Sequence, residues 1–132
     1  MKKTIIYPPG FPKPRGAYSP GVKVELGDGT SVLYATGQLA VDAAGQTIAP
    51  YDAAAQTEFV FGLLGQILAA ADMTFDDVVR TQTYLTNMAD FSKFTVVRDR
   101  YLGGALAAST LLEIKGLARE GCVVEVEITA MK

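Results

Sequence analysis

The spacing of the apolar residues changes repeatedly along the chain, and this feature most constrains the fold. Asp52 is a suitable N-cap, because its carboxylate can accept a hydrogen bond from a free N–H of a first helical turn. The apolar residues that follow recur with the spacing of one helix face: Phe59, Val60, Leu63, Leu64, Ile67, Leu68 and Ala71. The pattern predicts an amphipathic helix that begins after residue 52.

A second helical pattern runs from about residue 90 to residue 102, where two glycines end it. The side chains predicted to face inward are Phe91, Phe94, Val97 (or Val96) and Tyr101. Between the two helices, residues 78–85 alternate between apolar and polar positions. This alternation is typical of a strand.

The remaining regular segments also have strand patterns. Two of them, Val22–Leu26 and Ser31–Ala40, flank Gly27-Asp28-Gly29, and glycines supply the positive φ angles of tight connections. We therefore predict a β-hairpin. Two further strands, 110–115 and 122–131, are predicted at the end of the chain. The proline-rich stretch 11–16 is predicted to be a loop, because proline lacks a backbone donor.

Two helices beside five or six strands predict an α+β fold in a single domain over residues 1–132. We expect one mixed sheet of about six strands with both helices on one face. Segments such as Val32–Ala35 and Cys122–Val124 are apolar on both sides, so the other face would leave apolar surface in water. We therefore expect further copies of the chain to cover it, which makes a homo-oligomer.

The chain contains no histidine and a single cysteine, Cys122. This composition excludes Ser-His-Asp and Cys-His nucleophiles, HExxH zinc sites, multi-cysteine metal sites and an internal disulfide. Cys122 is expected to be a small core residue. No metal site and no cofactor are expected.

The 12 basic and 14 acidic residues give a net charge of −2, so nucleic acids and anionic membranes are expected to be poor partners. The longest apolar run, from Phe59 to Ala71, is interrupted by Gln66. It is shorter than the roughly 18 residues that a membrane-spanning helix needs. We expect a cytoplasmic protein without membrane contact.

Several short motifs follow one another along nearly the whole chain. They are Gly16-Ala17-Tyr18-Ser19-Pro20, Ala35-Thr36-Gly37-Gln38-Leu39, Thr83-Tyr84-Leu85 with Asp90-Phe91, Leu117-Ala118-Arg119-Glu120-Gly121 and Val124-Glu125-Val126-Glu127. Each motif alone has low specificity. Their order and spacing together resemble the RidA/YjgF family of small reactive-imine deaminases, whose members are also labelled endoribonuclease L-PSP or translation initiation inhibitor.

The resemblance implies a chorismate-mutase-like fold that assembles as a trimer around a central β-barrel, with ligand clefts between subunits. It also implies hydrolysis of 2-imino acids and their enamine tautomers to 2-oxo acids and ammonia without metal or cofactor. By motif, Tyr18 would pack against the ligand and Gly37 would offer a backbone contact. Glu125 would be the catalytic residue that positions or activates the attacking water.

The sequence departs from the family pattern at one position. Family deaminases carry a Pro-Ala-Arg segment whose arginine holds the substrate carboxylate, whereas this chain has Ala107-Ala108-Ser109. The loss weakens carboxylate binding by about 1.5–3 kcal/mol per hydrogen bond. Ser109 is expected to line the site without a catalytic role. Arg15, directly before the first motif, is the candidate replacement for the missing cation.

The leading hypothesis is a homotrimer that hydrolyses, or at least binds, a small imine- or enamine-type metabolite. The alternative is a non-catalytic module that binds a ligand or partner on the same fold. A third hypothesis, an endoribonuclease, is disfavoured by the acidic charge balance and the lack of histidine. Glu127 lies on the same strand face as Glu125 and is expected to be a solvated surface residue.

Overall fold

One six-stranded sheet and two α-helices form the fold, and the computed structural model describes residues 1–132. The strands are β1 (Lys2–Ile6), β2 (Gly21–Glu25), β3 (Ser31–Gln38), β4 (Val78–Leu85), β5 (Ala108–Glu113) and β6 (Val124–Met131). The helices are α1 (Ala53–Ala70) and α2 (Phe91–Leu102). The strand order is β1-β2-β3-β6-β4-β5, and only the pair β4–β5 is parallel. The predicted α+β fold with a single mixed sheet is confirmed.

The predicted hairpin is formed by β2 and β3. Gly27 and Gly29 have φ angles of 88° and 89°, so both turn positions need the conformational freedom of glycine. Between them, the Asp28 carboxylate accepts a hydrogen bond from the Thr30 N–H at 2.8 Å. β3 ends two residues earlier than predicted, at Gln38.

The first strand, β1, was not predicted. Its five residues pair antiparallel with β2, from Lys2 opposite Glu25 to Ile6 opposite Gly21. Only Ile6 of this strand is buried, so the segment shows no clear alternation before the prolines end it. Pairing with the edge of the hairpin, rather than the local pattern, makes this segment a strand.

The predicted N-cap of α1 is present, because the Asp52 carboxylate accepts a hydrogen bond from the Ala55 N–H at 3.0 Å. Half of the residues of α1 are buried between the sheet and α2: Ala53, Gln56, Thr57, Val60, Phe61, Leu63, Leu64, Ile67 and Leu68. The helix is long and apolar enough to cross a membrane by length and composition alone. Its burial is that of a core helix.

α2 packs on α1 through aromatic side chains. Phe61 lies between Phe94 and Tyr101, with ring centroids 6.4 and 5.1 Å away. The prediction that Phe91 faces inward is wrong, because this residue is 47% exposed. A helical side chain points back over the preceding turn. For Phe91 that turn is a single 3₁₀ turn, Met88–Asp90, which contains no buried residue.

The sheet face opposite the helices carries exposed apolar side chains. The registers place Ile5, Tyr34, Leu112 and Met131 on this open face, and each is between 43% and 56% exposed. The four residues come from β1, β3, β5 and β6, so the exposed apolar surface extends across the sheet. An apolar surface of this extent is typical of a protein interface.

Gln56, a fully buried residue of α1, forms hydrogen bonds with two loops, the loop before α1 and the loop before β6. Its Nε2 donates to the backbone oxygens of Ile48, Ala49 and Gly121 at 3.2, 3.1 and 2.7 Å. Its Oε1 accepts from the Val123 N–H at 2.8 Å. The start of β6 is thereby fixed against the loop before α1.

We expect Gln56→Leu to lower the free energy of unfolding by about 1–3 kcal/mol for each buried backbone group that it leaves unpaired. The matched control is Gln66→Leu on the exposed side of the same helix, which should change stability little. Urea denaturation at one fixed protein concentration measures both variants. An equal loss in the two variants would show that the Gln56 hydrogen bonds do not stabilise the fold.

Candidate functional site

A cleft of about 400 Å³ opens at the end of β3. One wall is the loop from Phe11 to Arg15 together with Tyr18 and Pro20, and a second wall is residues 36–39. Ala118 and Arg119, from the loop before β6, also line the cleft, as do Val41 and Leu63. The volume lies within the range of about 300–1,000 Å³ that is typical of small-molecule sites.

An irregularity of β3 shapes this cleft. The register between β3 and β6 shifts between Ala35 and Gln38, which is a β-bulge. Within the bulge, Thr36 donates from its N–H to the Pro20 oxygen at 2.8 Å and from its hydroxyl to the Ser19 oxygen at 2.6 Å. The bulge thus holds the Tyr18-Ser19-Pro20 segment against the sheet.

Tyr18 stands at the mouth of the cleft with 55% of its surface exposed. Its N–H donates to the Gly16 oxygen at 2.9 Å, and its hydroxyl accepts from the Arg15 N–H at 3.4 Å. The loop therefore curls on itself and brings the predicted residues Arg15 and Tyr18 to one side of the cleft. An exposed aromatic ring at this place can pack against a bound ligand.

Gly37 lines the cleft and lies directly against the Glu125 side chain. A Cβ atom at this position would be 2.9 Å from Oε2 and 3.0 Å from Cδ of Glu125. A side chain at position 37 would therefore force the Glu125 side chain to shift, and glycine leaves the space that the Glu125 carboxylate occupies. The predicted pairing of these two residues in one site is consistent with this geometry.

The Glu125 carboxylate is half-buried and makes no hydrogen bond within the subunit. Burial raises the pKa of Glu125, and the negative charge of Glu127 raises it further. Glu127 is not simply a solvated surface residue, because it accepts a hydrogen bond from the Tyr84 hydroxyl at 2.9 Å. Glu125 is therefore the carboxylate of this pair that is free to act on a ligand or a water molecule.

Within one subunit, the structure does not bring Ser109 to the cleft. Ser109 lies on the edge strand β5 opposite Thr81, whose buried side chain points toward the helices. Glu125 pairs with Tyr84 and lies on the other face of the sheet. The exposed Ser109 side chain is therefore directed to the face opposite Glu125.

Arg119 lines the cleft, although the sequence analysis names it only as part of a motif and not as a candidate site residue. Its Nη1 donates to the Gly45 oxygen at 2.9 Å, so a contact between segments 74 residues apart positions the guanidinium. No local pattern encodes such a contact. The only sequence signal that could have identified Arg119 was the presence of a cation in the motif Leu117-Ala118-Arg119.

The remaining candidate groups are Cys122 and the side chains that could hold a metal ion. Cys122 is buried, and burial raises the pKa of its thiol, so the reactive thiolate is disfavoured and the predicted core role is consistent with its position. No group of three or more Asp, Glu or Cys side chains is arranged to hold a metal ion. The cleft lining offers backbone polar groups, an aromatic ring and cations, and the free Glu125 carboxylate lies against Gly37 of that lining.

Comparison with known proteins places this architecture in a family. Residues 10–132 match the family model described as Endoribonuclease L-PSP. The chain is 35% identical to a RutC family protein of Saccharolobus solfataricus, over 98% of each chain.

Solved structures agree with the family match. A Rid-family protein of unknown function from Yersinia pestis has a TM-score of 0.86 at 27% identity and covers 98% of each chain. RidA from an Antarctic Psychrobacter has a TM-score of 0.83 at 28% identity, over 96% of this chain and 98% of that one. With its six-stranded fold, its ordered motifs and a family model that matches nearly its whole length, the chain belongs to the endoribonuclease L-PSP family, the RidA/YjgF family.

Proposed function

We propose that the protein hydrolyses a small imine- or enamine-type metabolite in its cleft without a cofactor. The observation that carries the proposal is the Glu125 carboxylate, which is half-buried, free of hydrogen bonds and packed against a glycine of the cleft lining. A carboxylate in this state can accept a proton from a water molecule beside it. Family membership supports the same chemistry.

The reaction needs little from the protein, because an iminium carbon is already electrophilic. Water attacks that carbon, and Glu125 takes one of the water protons as the C–O bond forms. Glu125 then returns that proton to the nitrogen of the resulting carbinolamine. The C–N bond breaks as the hydroxyl oxygen forms the carbonyl, ammonia leaves, and the hydroxyl proton passes through Glu125 to solvent. The net reaction converts one iminium ion and one water into one carbonyl compound, one ammonia and one proton. Orientation of the water beside the carbon is the main contribution of the site.

Substrate binding in this proposal rests on Tyr18, Gly37 and Arg15. The Tyr18 ring covers the ligand, and the backbone at Gly37 offers a polar contact beside Glu125. Arg15 supplies the positive charge that Ser109 lacks, because its side chain lines the cleft and has no carboxylate partner. Ser109 lines a cleft only when a neighbouring subunit contributes it.

We further propose a homotrimer, with the open face of the sheet lining a central β-barrel and the clefts completed between subunits. The exposed apolar residues of the open face support this assembly. The cytoplasm is the proposed compartment, since the free thiol of Cys122 is compatible with reducing conditions.

The function is tested by ammonia release from freshly generated 2-iminobutyrate. We expect the wild type to exceed the buffer rate, and Glu125→Gln to lower kcat by about 100-fold or more, because a general base contributes about 10²–10⁴-fold. The control Glu25→Gln makes the same change on β2, where the residue pairs with Lys2. A wild-type rate equal to that of buffer would disprove deamination of this substrate.

The pH dependence tests the role of Glu125 separately. The base must be ionised, so kcat/KM should fall as the pH falls through the pKa of Glu125, which lies above that of an ordinary glutamate. Glu127→Gln removes a charge that raises this pKa and should move the inflection to lower pH. An unchanged inflection in Glu127→Gln would mean that another group controls the rate.

Light scattering at micromolar concentration tests the assembly. We expect the mass of three 14.0 kDa chains. Tyr34→Lys, which places a charge on the open face, should yield smaller species, whereas Tyr51→Lys, at an exposed position outside the sheet, should not. A wild-type monomer would contradict the proposed trimer.

The non-catalytic alternative is favoured by one observation, the serine at position 109. A module that binds ligand without turnover would show saturable binding but no ammonia release, and its binding would survive Glu125→Gln. The endoribonuclease hypothesis draws only on the family's name. RNA cleavage that persists in Glu125→Gln would place any such activity outside this cleft.

A further inference from the structure

The cleft is lined by basic side chains without acidic ones. Lys13, Arg15 and Arg119 belong to the lining, and no aspartate or glutamate does. None of the three takes part in the ion pairs of the subunit, which involve Lys2, Lys93, Arg98 and Arg100. In a chain with a net charge of −2, three unpaired cations around one cleft indicate an anionic ligand.

The cations come from different walls. Lys13 and Arg15 lie on the N-terminal loop, whereas Arg119 lies on the loop before β6. The Gly45 oxygen accepts a hydrogen bond from one Arg119 nitrogen, and a guanidinium has five N–H donors in all. The guanidinium is thus held in place with donors left for a ligand. A single anionic group would pair with the cations of one wall and leave the cationic side chain of the other wall without a partner.

We propose that the cleft selects a small ligand with two anionic groups, one bound by Arg15 and Lys13 and the second by Arg119. This inference rests on the proposed deamination for its chemistry. The substrate class is the imines of 2-oxo acids that carry a second anionic group, either a second carboxylate or a phosphate. A volume of about 400 Å³ has room for such a ligand. The selectivity arises because each guanidinium can form charge-assisted hydrogen bonds with a separate anionic group.

Calorimetric titration of the full-length wild type with stable 2-oxo products tests the selectivity. We expect 2-oxoglutarate to bind at least tenfold more tightly than 2-oxobutyrate, a difference that narrows at high salt. Phosphoglycolate distinguishes the sources of the second charge: tighter binding than 2-oxoglutarate assigns it to phosphate, and weaker binding assigns it to carboxylate. Equal affinities for 2-oxoglutarate and 2-oxobutyrate would overturn the proposal.

Variants locate the second anion. Arg119→Gln should weaken 2-oxoglutarate binding about tenfold and leave 2-oxobutyrate binding nearly unchanged, whereas Arg119→Lys keeps the charge and should retain most of the preference. Lys93→Gln, on the exposed surface of α2, is the control with the same loss of charge. Thermal melting verifies that Arg119→Gln is folded. Retention of the full dianion preference in folded Arg119→Gln would contradict the assignment.

The binding and turnover measurements distinguish a failure of the dianion proposal from a failure of the deamination proposal. A protein that prefers the dianion but releases no ammonia from any imine would refute deamination and support the dianion site. A protein that deaminates 2-iminobutyrate and binds both oxo acids equally would refute the dianion site alone. Glu125→Gln should retain dianion binding, because the change removes a negative charge rather than a ligand contact.

Discussion

The pairing of β3 with β6 is the constraint on which the cleft depends. β6 lies in the interior of the sheet, and its side chains alternate between the core and the open face. The bulge in β3 sets Gly37 against Glu125 and lets Thr36 bind the backbone of the Ser19-Pro20 segment. A single irregularity therefore shapes the cleft wall, supports the loop that carries Tyr18 and places the carboxylate.

The electrostatics of the cleft follow from this arrangement. Glu125 accepts no hydrogen bond, so no donor offsets the rise in its pKa that burial causes. The negative charge of Glu127 raises this pKa further, and Glu127 itself accepts a hydrogen bond from the Tyr84 hydroxyl. The cations lie on the surrounding loops. In the proposed mechanism, the group that moves the proton lies on the sheet, and the groups that hold the anion lie on the loops. Under this proposal, substrate binding can change through a loop residue such as Arg15 while the carboxylate stays on the sheet.

Much of the fold could be predicted because its main elements carry strong local signals. The periodic stripe and N-cap of α1, the glycines of the hairpin and the alternation in β4 are all local features. β1 could not be predicted, because only its pairing with β2 makes it a strand. The motifs named Tyr18, Gly37 and Glu125 as candidate site residues. The Gly45–Arg119 contact joins distant segments and leaves no pattern in the sequence.

The central claim is that a ligand reacts beside Glu125 in this cleft, and a crystal structure of Glu125→Gln soaked with 2-oxoglutarate tests it most directly. We predict that the 2-oxo carbon lies next to residue 125 and Gly37, with one carboxylate at Arg15 and the other at Arg119. A ligand bound elsewhere, or an empty cleft at a concentration that saturates binding in solution, would contradict the account.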